Sequence, residues 1–313
     1  MGLRRFRRHL GAADRDGTAT PAAGVMTRAP LSIIAAVSLI ALGGDVGAAE
    51  RELRVCADPN NLPFSDARRE GFENRIAELI ADELHAELSY TWWAQRRGFM
   101  RNTLGAGACD LVIGVPAGYE LAETTEAYYR SAYVYVYRAD PGLQLRSMRD
   151  PRLRDLRIGV HLIGDDGVNP PPAHALGAQG IVDNVVGYMI YGDYREPNPA
   201  AQIVEAVASG EIDVAAVWGP IGGYFAKHAS VPLVAVPITD TASFAPLRFE
   251  FDIAMGVRKG EHAFRDELNG ILERRREDID RLLDQYGVPR VEGTRPGAQH
   301  AGGAERQGAH QRQ

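Results

Sequence analysis

Polar and aromatic residues follow the ends of several strand-like segments in this chain of 313 residues. The carboxyl ends of parallel strands meet at one edge of a sheet, and ligands bind beyond that edge. Aromatic walls with a few convergent polar groups are typical of a small-molecule cleft. We therefore predict a cleft lined by Asp58, Asn60, Asn61, Phe64, Trp93, Gln95, Arg96, Pro116, Tyr119, His161, Asp165 and Trp218.

Sequence signatures of catalysis are missing. The eight histidines show no metal-ligand spacing, and neither a Gly-x-Ser-x-Gly motif nor a phosphate-binding loop occurs. A catalytic cleft would need a general acid or base, for which Asp58, His161 and Asp165 are the candidates. The acidic pair that Asp165 begins is more typical of a solvated turn, and Glu73 and Glu78 are predicted on the polar side of a helix. We predict that the protein is not an enzyme and holds no metal.

The elements that would position the candidate residues occur twice. Residues 53–55 open a strand and the phrase GACDLVIGVPAGY follows at 107–119, while residues 156–158 and 210–224 repeat the plan at the same spacing. Each copy runs strand, helix, Gly-x-x-Asp, buried strand and Pro/Gly turn, which is typical of parallel sheets with crossover helices. The repeat predicts an α/β fold with two similar lobes that face each other across a cleft.

Two segments should cross between the lobes and make a two-segment hinge, namely 128–138 and 249–260. After the closing helices, the polar C-terminal residues lack the apolar content that would offset the entropy of ordering, so we predict disorder there. The predicted divisions are 1–49 leader and signal peptide, 50–137 plus 253–290 lobe 1, 138–252 lobe 2, and 291–313 disordered tail.

Residues 31–43 form an apolar run with Arg28 before it and small residues up to Ala49 after it. This arrangement is typical of a secretory signal peptide, and the run is too short to span a bilayer comfortably. An uncleaved anchor is the alternative. We expect a periplasmic protein with no membrane span after cleavage. The formal net charge of −6 disfavours nucleic acid as a partner.

Cys56 and Cys109 are the two cysteines of the chain. An oxidising compartment permits a disulfide between them. The strand register opposes it, since Cys56 lies late in its strand and Cys109 precedes its own, which should hold the two Cα atoms too far apart. Two small buried residues are the alternative to a bond.

Several longer phrases resemble one known family. PNNLPFS at 59–65, YTWWAQRRGF at 90–99 and VWGPIGGY at 217–224 are similar to the quinoprotein-dehydrogenase-associated periplasmic binding proteins, the MxaJ and XoxJ group found beside methanol dehydrogenases. The similarity covers residues 52–290. It implies the two-lobed fold of type II periplasmic binding proteins, similar to amino-acid receptors.

The resemblance also implies a function. It points to a non-catalytic accessory protein that activates or matures a PQQ-dependent methanol (alcohol) dehydrogenase. The implied partners are that dehydrogenase, its cytochrome c and a small-molecule ligand. PQQ and metal would belong to the dehydrogenase, with no cofactor bound tightly by this chain. An ABC-transporter solute-binding protein for a small molecule is the alternative.

One position departs from the amino-acid receptors. Those proteins place an arginine about twelve residues after the aspartate that opens the third strand, where it pairs with the ligand carboxylate. Here the count from Asp110 reaches Ala122, and the next arginine is Arg130. An amino-acid carboxylate would lack its partner at a cost of several kcal/mol. This favours another ligand, or a cleft that contacts a partner protein.

Overall fold

The computed structural model describes residues 51–140, 142–162, 169–190 and 196–291. The predicted leader and signal peptide, the candidate residue Asp165, and the predicted tail apart from Val291 lie outside these residues. Within the described ranges, no helix has the length and apolar character that crossing a bilayer requires.

The structure alternates strands and helices, as the repeated plan predicts. The strands are β1 Arg51–Ala57, β2 Asn60–Asn61, β3 Ser65–Asp66, β4 Ala86–Trp92, β5 Leu111–Pro116, β6 Glu123–Thr124, β7 Tyr129–Arg138, β8 Ile158–Leu162, β9 Val185–Met189, β10 Val214–Trp218, β11 Leu233–Pro237 and β12 Glu250–Val257. The α-helices are α1 Phe72–Leu84, α2 Phe99–Asn102, α3 Pro171–Ala178, α4 Gln202–Ser209, α5 Gly219–Lys227, α6 His262–Arg274 and α7 Arg276–Gln285.

The local sequence explains why helix α1 forms and where it begins and ends. Phe72, Ile76 and Ile80 recur at helical spacing and are buried on one face. At the start, the side-chain oxygen of Asn74 accepts the backbone N–H of Gly71 at 3.1 Å, which satisfies a group that the helix leaves unpaired. The helix ends at His85, whose φ of 49° lies in the left-handed region.

Two strand groups share the long strand β7. The main sheet runs in the order β4-β1-β5-β12-β7-β10-β8-β9, and β6 and β11 pair with β12 and β7. β4, β1 and β5 pair in parallel, as do β10, β8 and β9. Residues Tyr129–Ala132 of β7 pair with β12, whereas Tyr133–Tyr137 pair with β10. The two predicted crossing segments are thus the antiparallel strands that join the groups, while the residue limits of the lobes remain a prediction.

Separate cores accompany the two strand groups. The core against the first group contains Phe72, Ile76, Leu111 and Met255. The second group has a core on each face, one around Tyr135 and one that includes Ile203. Each group therefore buries its own apolar surface, which is what two similar α/β halves require.

The two cysteines form a disulfide, with Cα atoms 5.6 Å apart. The possible bond is thus confirmed, and the expectation that the strand register holds the two Cα atoms too far apart is wrong. Cys56 pairs in register with Val112 of β5, and residues 103–107 ahead of Cys109 form turns. The turns bring Cys109 beside Cys56 in a small core under β1 and β5 that also contains Leu104.

Candidate functional site

Asp58, the first residue after β1, organises the loops at the carboxyl edge of the first strand group. Its side chain is buried, and Oδ1 accepts the backbone N–H of Asn60 at 2.9 Å. Oδ2 accepts the backbone N–H of Gln95 at 2.6 Å, and Nδ2 of Asn61 donates to Oε1 of Gln95 at 3.0 Å. The structure thus brings together four of the predicted residues, and their hydrogen bonds tie the loop after β1 to the loop after β4.

Asn60 connects this loop with the segment that precedes α4. Its Nδ2 donates to the carbonyl oxygen of Glu196 at 2.9 Å. Its Oδ1 accepts the backbone N–H of Asn198 at 3.0 Å. The amide therefore acts as a bridge between the two halves of the chain, since β1 belongs to the first strand group and α4 packs on the second.

Phe64 and Trp218 lie where the cores of the two strand groups approach each other. Each packs against the core that contains Phe72 and also against the core that contains Ile203. The ring centroids of Phe64 and Phe72 are 5.5 Å apart, and those of Trp218 and Tyr133 are 5.4 Å apart in an edge-on arrangement. These two predicted site residues therefore form an aromatic connection between the halves.

The other predicted residues of the first strand group are more dispersed. Trp93 is 46% exposed, and Arg96 and Pro116 are exposed as well. Tyr119 instead packs against the small core around the disulfide. The predicted contribution of Asp165 lies outside the described residues.

His161, the fourth residue of β8, is buried with 2% of its surface exposed. Burial lowers the pKa of its imidazole to about 4, and a hydrogen bond with the backbone of Ala200 opposes that shift in part. Its Nε2 is buried and finds no hydrogen-bond partner among the residues that the structure describes. The side chain is therefore neutral at neutral pH and offers no positive charge to a ligand.

Glu73 is partly exposed on α1, as the sequence predicts, but it also makes a contact that the helix pattern does not indicate. It belongs to the first turn of α1 and its carboxylate lies against Gly114 of β5. The side chain keeps some solvent contact, yet the surrounding protein raises the pKa of its carboxyl well above the usual range. A signal was available in Gly114, since a glycine inside a buried strand often marks a bulge or a close approach.

Amino-acid receptors hold the ligand carboxylate with an arginine, which we call the clamp. The arginine nearest in sequence to that position, Arg130, is already paired. The guanidinium of Arg130 binds the carboxylate of Asp252 through two hydrogen bonds of 2.7 and 2.6 Å, and this pair lowers the pKa of Asp252. Ala122, at the expected clamp position, is buried beside the disulfide core. In the part of the chain that the structure describes, no three or more His, Cys, Asp or Glu side chains are grouped to hold a metal.

Comparison with known proteins gives several relatives, although no family model matches the chain. Protein MoxJ of Methylorubrum extorquens is 31% identical over 249 residues, which are 76% of this chain and 81% of that protein. The periplasmic binding protein XoxJ from Methylobacterium extorquens AM1 is 38% identical in its crystal structure, with a TM-score of 0.64 over 77% of this chain and 100% of that chain. MxaJ from Methlophaga aminisulfidivorans is 27% identical, with a TM-score of 0.68 over 76% of this chain and 100% of that chain.

Amino-acid solute-binding proteins also match at 20% identity, which shows the fold alone. The predicted α/β fold of a type II, amino-acid receptor-like periplasmic binding protein is confirmed by these matches and by the strand order. The chain belongs to the family of periplasmic binding proteins that contains MoxJ, MxaJ and XoxJ.

Proposed function

We propose that this chain is a non-catalytic periplasmic accessory protein that binds a PQQ-dependent methanol (alcohol) dehydrogenase and activates or matures it. Membership of the MoxJ, MxaJ and XoxJ family supports this proposal. The observation that carries it is the state of the clamp region. Buried Ala122 stands where the arginine is expected. The guanidinium of Arg130 is hydrogen-bonded to the carboxylate of Asp252.

The missing clamp matters because an ionised carboxylate is strongly hydrated in water. A closed cleft that removes this hydration must supply charge-assisted hydrogen bonds in its place. Moving Arg130 to a ligand would break two hydrogen bonds to Asp252 and leave that carboxylate without them. The arrangement therefore disfavours the amino-acid ligand for which proteins of this fold are otherwise suited.

Exposed residues at the same edge suit a protein partner. Trp93 leaves 46% of its surface in solvent, and Arg96 is exposed three residues later. Tryptophan and arginine contribute disproportionately to protein–protein binding energy. The backbone N–H of Gln95 donates a hydrogen bond to Asp58 and holds the loop that carries them, so binding requires less loss of conformational entropy.

Two of the three candidate acid–base groups lie within the described residues, and both have structural surroundings. Both carboxylate oxygens of Asp58 accept backbone N–H groups. The imidazole of His161 is buried and hydrogen-bonds with the backbone of Ala200. These contacts support a binding role. In this proposal the PQQ and metal stay with the dehydrogenase, a signal peptide directs the chain to the periplasm, and the cytochrome c of the system is a further partner.

The proposal is tested by mixing the mature protein with the methanol dehydrogenase encoded beside it. We expect association in a pull-down assay, together with higher turnover or higher PQQ and metal content of the dehydrogenase. Trp93→Ala should weaken association at least tenfold, because a buried interfacial tryptophan contributes about 2 kcal/mol or more. Val182, 58% exposed and just before β9, gives the control Val182→Ala because the amino end of a parallel strand lies away from the ligand edge. Neither association nor any effect on the dehydrogenase would refute the accessory role.

A small-solute receptor for an ABC transporter is the second candidate, because the fold is shared with amino-acid solute-binding proteins. A thermal-shift screen distinguishes it from the first. A ligand at one hundred times its Kd stabilises the folded state by about 2.7 kcal/mol, which raises the Tm measurably. Stabilisation by a transported solute without association with the dehydrogenase would favour the receptor.

A further inference from the structure

The carboxylate of Glu73 occupies a space that β5 creates by a bulge. Ala254 of β12 pairs with Val115, but the next residue, Met255, pairs with Ile113. Gly114 is therefore the extra residue of β5, and its φ of +80° lies in the left-handed region that favours glycine. A Cβ atom on Gly114 would stand 1.9 Å from Oε1 of Glu73. Both the backbone conformation and the missing side chain thus make room for this carboxylate.

The position of Glu73 is that of a ligand-binding group. It lies in the first turn of α1, directly after the loop that leaves β1. Gly114 is two residues before the end of β5 at Pro116. Bulges next to functional sites commonly redirect a strand or make room for a functional group. The carboxylate therefore lies at the carboxyl edge of parallel strands, where proteins of this architecture bind ligands.

The charge of Glu73 acts on three tyrosines, and in the part of the chain that the structure describes no cation pairs with its carboxylate. The charge of Glu73 contributes to raising the pKa values of Tyr90, Tyr128 and Tyr129, in addition to the effect of burial. Among the described residues, none donates a hydrogen bond to the Glu73 carboxylate or forms an ion pair with it. Within the same described ranges, the hydroxyl of Tyr128 is buried and has no hydrogen-bond partner.

Such groups are costly for a folded protein. A buried polar group without a partner, such as the Tyr128 hydroxyl, costs about 1–3 kcal/mol, and partial removal of the Glu73 carboxyl from water disfavours its ionised form. An alanine at residue 73 would avoid the cost of placing a carboxyl there. Stability is commonly given up in this way at binding sites, where the missing partner is supplied by the ligand.

We propose that Glu73, seated at the Gly114 bulge, binds a cationic amine or guanidinium group. A nitrogen cation supplies the charge-assisted hydrogen bond that the carboxylate lacks, and aromatic rings favour the same charge. The group comes either from a small amine or from a Lys or Arg side chain of the partner protein. This inference rests on the proposed binding function and names the chemistry that the site recognises.

The test uses the mature protein and probes of defined charge. Butylamine, putrescine and agmatine are titrated by calorimetry at pH 8, with butanol and butanediol as neutral counterparts, together with a capped peptide carrying lysine or acetyl-lysine. We expect at least one cationic probe to bind, its neutral counterpart to bind at least tenfold more weakly, and Glu73→Gln to reduce cation affinity at least tenfold. Preference for free amines identifies a small-molecule source, whereas preference for the lysine peptide identifies a protein source.

Two controls separate this inference from a folding defect. Glu78→Gln changes a partly exposed acid on the same helix, paired with Arg75 at 3.1 Å, and should leave cation binding unchanged. The Tm of Glu73→Gln should equal or exceed that of the wild type at pH 8, because the variant removes a carboxyl whose ionised form is disfavoured by burial. A lower Tm at pH 8 would contradict the environment described for Glu73.

Failure of this inference is distinguishable from failure of the accessory role. No binding of any cationic probe or lysine peptide, or equal binding by Glu73→Gln, overturns the assignment of Glu73. The dehydrogenase pull-down is read independently. If cation binding fails but the dehydrogenase still associates with the wild type and with Glu73→Gln, the accessory role stands and only the chemistry assigned to Glu73 is wrong.

Discussion

Replacing His161 by leucine should make the stability of the protein less sensitive to acid. The imidazole has a pKa of about 4 in the folded state, against an ordinary value of 6.5. Because the folded pKa is lowered, the histidine contributes stability above pH 6.5, and this contribution is lost as the pH falls towards 4. Between pH 7.5 and pH 4.5 the two pKa values correspond to a loss of roughly 2.5 kcal/mol in the free energy of unfolding.

Urea denaturation at pH 7.5 and at pH 4.5 measures this effect. Each protein is compared with itself at the two pH values, so a constant cost of the substitution, such as the lost bond to Ala200, cancels. We expect His161→Leu to lose roughly 2.5 kcal/mol less than the wild type between these pH values. His174 is exposed on α3, and His174→Leu serves as the matched control. Equal losses in the wild type and His161→Leu would show that the imidazole is not enclosed as described.

Three further predictions concern the elements that hold the candidate site. Reduction of the disulfide, which closes a loop with a sequence separation of 53, should lower the free energy of unfolding by about 4 kcal/mol, measured by urea denaturation with and without dithiothreitol; an unchanged midpoint would contradict it. Gly114→Ala should destabilise by more than the roughly 1–2 kcal/mol of left-handed strain alone, because it also meets Glu73. Gly118→Ala, with a φ of +73° and no atom within 4 Å, should show the strain alone, and equal effects would exclude the contact. Asn60→Ala should increase amide hydrogen exchange at Asn198 about tenfold through the loss of the bridge, and unchanged exchange would show that the bridge contributes nothing.

Much of the architecture could be predicted because local patterns agree with the fold. The helical spacing of Phe72, Ile76 and Ile80 predicts α1, and the unbroken apolar run at 111–115 predicts a strand buried on both faces. The segments 128–138 and 249–260 contain β7 and β12, which pair with each other and join the two strand groups. In these elements each residue's neighbours along the chain are sufficient to indicate its environment.

Contacts between residues distant in sequence could not be settled from local patterns. The sequence left the disulfide open, and turns bring Cys109 to Cys56. The helix pattern places Glu73 on the polar side of α1 but does not indicate that its carboxylate lies against the bulge at Gly114. The bridging role of Asn60 could not be inferred, since its partners lie more than a hundred residues further along.

The sequence by itself determined the α/β class, the twofold plan, the resemblance that the comparisons confirm, and the replacement of the clamp arginine by Ala122. These properties follow from residue type and spacing along the chain. The tertiary structure decided that Arg130 pairs with Asp252, that His161 is buried, and that the Glu73 carboxylate has no cationic partner among the described residues. Those properties depend on which atoms surround a charge, because desolvation and pairing arise only when distant parts of the chain pack together.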